Sequence, residues 1–256
     1  VDGLPFPLVV PVLGEGSRDP RVRERFEQPP REDVDVLFVI DDSCSMAGEQ
    51  RAIARNFRSF IQQADLRRVD FRIGVTTTTV LGTAGALEGP PLTPTTVALE
   101  QAFARQTGVG IRGSGIELGL EAALGAVRRA EQGLSPNRQL FRTGSQKVFV
   151  IVSDEDDQSQ LSPLAYAAEL ERRFSSLTAA VISGGATGCR SSTGSAVPAP
   201  RYQRFIGQLN GITTSICADW GQTLSTIGQA AFGLKTRFRL SRRADPTQPV
   251  GVWIDG

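Results

Sequence analysis

Val36-Leu37-Phe38-Val39-Ile40-Asp41-Asp42-Ser43-Cys44-Ser45-Met46 is the stretch whose reading decides the fold. Five apolar residues without polar alternation describe a strand buried on both faces, as in a parallel sheet. The run ends abruptly in Asp-x-Ser-x-Ser, just past the carboxyl end of that strand, where open α/β sheets place their ligands. One carboxylate and two hydroxyls on a short loop are hard oxygen donors. They suit Mg2+, Mn2+ or Ca2+ and suit soft metals poorly.

Working outward, Ile53, Phe57, Phe60, Ile61 and Ala64 recur at helical spacing over 49–64, and Phe71–Thr77 reads as a second strand. Residues 78–97 form a long Gly/Pro/Thr loop, followed by a short helix near 98–106. Gly113-Ser114-Gly115 opens a stronger helix with Ile116, Leu120, Ala123, Leu124 and Val127 on one face and Gly133 as its stop. Lys147–Val152 is a second buried apolar run, ending in Ser153-Asp154-Glu155-Asp156-Asp157. A helix over 162–174 capped by Ser162-Pro163, a strand from Leu177 to Ile182, and a Gly/Ser/Thr loop over 183–199 follow. Helices near 200–210 and 220–232 and strands near 236–240 and 250–254 complete the reading. Alternating strands and helices predict an α/β fold: a doubly wound, mainly parallel central sheet with helices on both faces. Residues 1–33 form a Pro-rich N-terminal arm, in which Leu8–Val10 and Val12-Leu13 offer a short edge strand or a packing surface. Residues 34–240 form the domain and 241–256 a C-terminal tail or extra strand.

Composition narrows the chemistry. At 256 residues the chain can bury a substantial core. Its net charge of +1 and lack of long basic runs argue against nucleic acid or an anionic membrane held by bulk charge. Histidine is absent, which removes His-based triads, His general bases and His-ligated zinc. No segment approaches the ~20 apolar residues of a membrane span. The chain opens with Val, as a mature or trimmed product would, so the lack of a signal sequence says nothing of compartment. Of the three cysteines, Cys189 and Cys217 lie 28 apart in polar loop-like sequence. They fit a disulfide in an oxidising compartment, with two reduced thiols as the alternative.

A doubly wound sheet brings three loops to one crevice: the loop of Asp41, Ser43 and Ser45, the segment of Ser114, and Asp154 after the strand 147–152. Asp41-x-Ser43-x-Ser45 after a buried strand resembles the metal-ion-dependent adhesion site of von Willebrand factor type A domains, shared by integrin inserted domains. The resemblance covers about residues 34–240. Ser114, 73 residues after Asp41, and Asp154, 113 after it, sit at intervals that suit the family's second and third loops. Asp41–Met46, Gly74-Val75-Thr76-Thr77 and Ser153–Asp157 are similar to a bacterial secreted branch of the family.

The resemblance implies that Ser43, Ser45 and Ser114 hold Mg2+ (or Mn2+ or Ca2+) directly, and that Asp41 and Asp154 hold it directly or through water. It also implies that a protein partner completes the ion with an Asp or Glu. The family's usual Thr is Ser at position 114, and Glu117 is the best substitute ligand if Ser114 is not the second-loop residue. Cys44, where Gly is common, reads as packing or as a free thiol. Asp42 caps the loop, and Glu155, Asp156 and Asp157 read as a solvated acidic rim or a second cation site. The function expected is therefore non-catalytic, cation-dependent protein binding by a secreted, surface or periplasmic protein. A structural subunit that assembles through its terminal arms is the alternative. A Mg2+-dependent phosphoryl hydrolase is disfavoured because Ser43 stands where such enzymes need a second Asp. Gly108–Gly113 matches a dinucleotide-loop pattern but follows a loop, and reads as a flexible approach to Ser114.

Overall fold

The computed structural model of the chain describes residues 33–80, 82, 84–191 and 194–233, together with the backbone of 8–13, 21–26 and 253–254. Two compact units are formed, one by Asp33–Gly233 and one by the terminal segments.

In the terminal unit, β1 (Leu8–Leu13) pairs antiparallel with β2 (Arg21–Phe26) along its whole length. Its other side pairs with β10 (Trp253–Ile254). The N-terminal strand expected at an edge is thus the middle of a three-stranded sheet. Pairing with β10 involves Leu8 and Val9 alone, short of Pro11, whose nitrogen has no hydrogen to give a second neighbour.

The larger unit runs β3 (Val34–Ile40), α1 (Ala47–Arg55), α2 (Phe57–Arg67), β4 (Phe71–Thr77), α3 (Leu99–Thr107), α4 (Gly119–Glu131), β5 (Gln146–Val152), α5 (Pro163–Arg173), β6 (Leu177–Ser183), β7 (Cys189–Arg190), β8 (Ser195–Ala196), α6 (Pro200–Leu209), β9 (Ile212–Ser215) and α7 (Trp220–Phe232). Five strands form a parallel sheet in the order β4-β3-β5-β6-β9. Every residue of β3 is buried, because alternate side chains serve opposite layers. Val36, Phe38 and Ile40 join the core made with α1, α2, α3 and α7, while Leu37 and Val39 join the one made with α4, α5 and α6. Phe38 meets the edges of Phe60 and Phe103 at 5.2 and 5.3 Å, and Phe57 stacks on Phe103 at 3.9 Å. These offset contacts fix the helices over the strand that carries the site.

Four expectations are corrected. The single helix over 49–64 is two, parted at Asn56, whose side-chain amide bonds the Ala52 carbonyl at 2.9 Å and competes with the helical ladder. The helix expected to open near 115 begins at Gly119, leaving Ile116 outside it and 55% exposed. β9, short and Thr-rich, is a fifth strand that hydropathy alone does not show. The loop 183–199 contains the small β7–β8 hairpin. The strand expected near 236–240 lies outside the described residues.

Cys189 and Cys217 form a disulfide with 6.1 Å between Cα atoms. It ties β7 to the turn after β9, and closing a loop of this length contributes about 3–4 kcal/mol.

Candidate metal centre

The chain leaves β3 for β4 on one side, then crosses back to β5 and continues away on the other, so the strand order switches between β3 and β5. A crevice opens at such a point beyond the carboxyl ends of the strands. The register puts Ile40 level with Val152, which sets Asp41 beside Ser153. The Asp41 amide donates to the Val152 carbonyl at 3.0 Å, and the Ser153 hydroxyl donates to Asp41 Oδ2 at 2.6 Å. Asp41 Oδ1 accepts the Ser43 amide at 2.8 Å, an Asx turn that reverses the chain. That turn brings the hydroxyls of Ser43 and Ser45 within 3.1 Å of each other. Asp154, at the end of the neighbouring strand, interacts with both Ser45 and Asp41. Asp41, Ser43, Ser45 and Asp154 are therefore gathered in one place.

Ser114 turns its hydroxyl to its own loop. Its hydroxyl accepts the Ile116 amide at 3.0 Å, and its own amide donates to Thr79 Oγ1 at 2.9 Å. Glu117 arrives instead. It is fully buried, takes a hydrogen bond from Thr78 Oγ1 on Oε2, and lies close enough to Asp41 to be repelled by it. The reason is the late start of α4. Its first turn has no cap of its own and is capped by the loop that carries Asp154. Gln158 N donates to the Glu117 carbonyl at 2.6 Å, Leu120 N to Asp157 Oδ1 at 3.0 Å and Glu121 N to Ser159 Oγ at 3.0 Å. Those bonds hold 113–118 as loop and swing Glu117 inward.

Asp156 and Asp157 are accordingly helix caps rather than a solvated rim. Asp157 is 1% exposed, caps α4 and pairs with Arg201 at 2.9 Å, while Asp156 accepts the Arg201 amide at the start of α6. Both carboxylates sit at helix N-termini, where the unpaired amides and the dipole favour negative charge. Asp42 turns to Thr79, whose hydroxyl donates to it at 2.9 Å, and its carbonyl accepts Gly113 N at 2.8 Å. A side chain at Gly113 would collide with that carboxylate, since a Cβ there would lie 2.2 Å from Asp42 Cγ. Gln50 donates to the carbonyls of Asp41 and Gly110 at 3.1 and 2.7 Å and locks two of the loops together. Cys44 is free and exposed rather than packed. Ser153 and Gln50 left no signal in the sequence, because their roles come from strand register and helix packing.

Burial pushes the Glu117 carboxyl up to about 8; the Thr78 hydrogen bond works against this, and Asp41 and Glu155 add to it. Burial likewise raises Asp154 to about 6, opposed by Ser45 and reinforced by Asp41 and Glu155. Glu117 Oε1 and Asp154 Oδ1 are both buried and accept no hydrogen bond among the described residues. An orphaned buried carboxylate oxygen is costly and calls for a proton, water or ion. Among the described residues no three His, Cys, Asp or Glu side chains close on a single point. The donor set is mixed, carboxylates and hydroxyls at a solvent-touching crevice, which fits a hard cation that keeps part of its water shell.

Fold and crevice together define a von Willebrand factor type A fold. The chain is similar to a von Willebrand factor type A protein from Catenulispora acidiphila at 14% identity and a TM-score of 0.53, covering 88% of this chain and 46% of that one. It is also similar to proximal thread matrix protein 1 from the mussel byssus, at 13% identity and a TM-score of 0.51, covering 79% of this chain and 49% of that one. A third similar structure is the pilus adhesin SpaC from Lactobacillus rhamnosus GG, at 12% identity and a TM-score of 0.50, covering 80% and 31%. The chain thus spans about half the length of the first two proteins or less. No protein-family model matches it, and no curated protein matches it.

Proposed function

We propose that the chain is a non-catalytic, divalent-cation-dependent protein-binding domain of adhesion or scaffolding type, working outside the cytoplasm. The observation that carries this reading is the pair of orphaned, buried oxygens, Glu117 Oε1 and Asp154 Oδ1, brought from two loops to the crevice of Asp41. Asp41, Ser43, Ser45 and Asp154 would hold the ion, with Glu117 in the position that the resemblance gives to Ser114.

Support for a protein ligand comes from the crevice's surroundings. Ile111 and Ile116 on one loop, Leu161 on the second and Val197 on the third are 44%, 55%, 45% and 53% exposed. Val197 N donates to the Asp154 carbonyl at 2.9 Å, so the third loop borders the site directly. Ile111 lines the pocket beside Asp42 and Thr79, and exposed apolar side chains grouped at a polar centre are the pattern of an interaction surface. The Cys189–Cys217 disulfide supports an oxidising compartment, and no described helix is long and apolar enough to cross a membrane.

The test is thermal unfolding in EDTA and then in Mg2+, Mn2+ or Ca2+. A cation at 100 times its dissociation constant should stabilise the fold by about 2.7 kcal/mol. The absence of a shift with every cation would sink the reading. A structural subunit is the second reading, favoured by the terminal sheet, in which β2 and β10 are the edge strands among the described residues and offer backbone groups for pairing. It predicts concentration-dependent assembly that survives loss of Asp41, checked by sedimentation.

A further inference from the structure

Glu117 changes the charge of the site. In the arrangement that the resemblance implies, two carboxylates balance a divalent ion and a hydroxyl fills the remaining loop position. Here that position holds a third carboxylate, fully buried against Asp41, with Oε2 fixed by Thr78 and Oε1 accepting no hydrogen bond among the described residues. Asp41, Asp154 and Glu117 together exceed the charge of a divalent cation by one. Arg201 does not offset the excess: it is committed to Asp157 and to the carbonyls of Ser159 and Leu161, at 2.7 Å each.

We propose that Glu117 supplies from within the chain the carboxylate that an acidic partner residue would otherwise give the cation, so that the ion is held without a partner. This rests on the cation reading above. The three carboxylates do not close on one point, so at least one acts through a bound water, as outer ligands commonly do. An acidic residue from a partner would bring a fourth negative charge into a partly desolvated crevice, where like charges repel strongly.

Calorimetric titration of the whole chain with Ca2+ and Mg2+ tests this in wild type, Glu117→Gln, Glu117→Ala and Asp41→Ala, with and without acetate as a small carboxylate. Wild type should bind without any partner and gain nothing from acetate. Glu117→Gln should lose about 10–100-fold in affinity, the usual effect of removing a supporting ligand. Glu117→Ala should lose a similar factor and recover part of it in acetate, which can enter the space left. Circular dichroism of each variant confirms that it is folded. Unchanged affinity in a folded Glu117→Gln, with binding lost in Asp41→Ala, would overturn this inference and leave the cation reading intact. Acetate strengthening wild type as much as Glu117→Ala would overturn it too, by showing an ion still open to an outside carboxylate. A wild type that binds no cation removes both.

Discussion

Asp41→Ala is expected to abolish the cation-dependent rise in unfolding temperature, with a smaller, partly offset cost in EDTA. Asp41 is fully buried and accepts the Ser43 amide and the Ser153 hydroxyl. Each neutral hydrogen bond of this kind contributes about 0.5–1.5 kcal/mol, and bonds to an ionised group somewhat more. Against that loss, Asp41 repels Asp154 when no ion is present. Removing it relieves that contact and offsets part of the cost in EDTA. In saturating cation the variant and the wild type should separate further, because only the wild type gains the binding free energy of about 2.7 kcal/mol at 100 times the dissociation constant. For a domain of this size each kcal/mol moves the midpoint by about 2–4 °C. Differential scanning calorimetry in paired buffers reads the difference directly. An Asp41→Ala variant that keeps the full shift would place the ion elsewhere.

Asp35→Ala should cause the larger loss of stability, about 3–5 kcal/mol, and leave the cation shift untouched. Asp35 lies on β3, fully buried, at the end of the strand away from Asp41. Its oxygens accept the Arg142 amide at 2.6 Å, Arg142 Nε at 2.8 Å and the Ser145 hydroxyl, with Lys147 Nζ at 3.6 Å. Lys147 is 4% exposed and Arg142 14%. Burial holds the Lys147 amine below its ordinary range, and Asp35 is the main influence working against this. Without Asp35 two cations remain in a pocket that water barely reaches, and an uncompensated buried charge is far costlier than the pair. Asp70 and Asp33, at 2.8 and 3.1 Å from Arg142, are exposed and recover only part of the loss. Urea unfolding measures the change. Asp35→Ala combined with Lys147→Met should be less damaging than the sum of the two single variants, because the groups share one network.

These two aspartates show how far reading the chain alone could go. Asp35 stands on the strand read over 34–40 and Asp41 just past its end, so the length of one strand separates a residue that locks the sheet from residues that face the crevice. The Asp-x-Ser-x-Ser pattern marked Asp41 because the pattern is local: Asx-turn chemistry and the end of the apolar run act within five residues. Nothing local marked Asp35, whose partners Arg142 and Lys147 lie more than a hundred residues away and meet it only because β5 pairs with β3.

The sequence by itself determined the parallel α/β sheet, because strands buried on both faces must be written as unbroken apolar runs and the helices between them as 3.6-residue stripes. It also determined the loop of Asp41, Ser43 and Ser45 and the place of Asp154, each set by the abrupt end of such a run. The tertiary structure alone decided what the second loop contributes. Local pattern started a helix near Gly115 and offered Ser114; capping by Asp157 and Ser159, from a loop about forty residues on, delayed the helix to Gly119 and turned Glu117 inward. The same contacts changed Asp156 and Asp157 from an acidic rim into helix caps. A helix N-terminus takes whichever oxygen the fold brings within reach of its free amides, and that is a property of packing between distant segments, which no window of sequence contains.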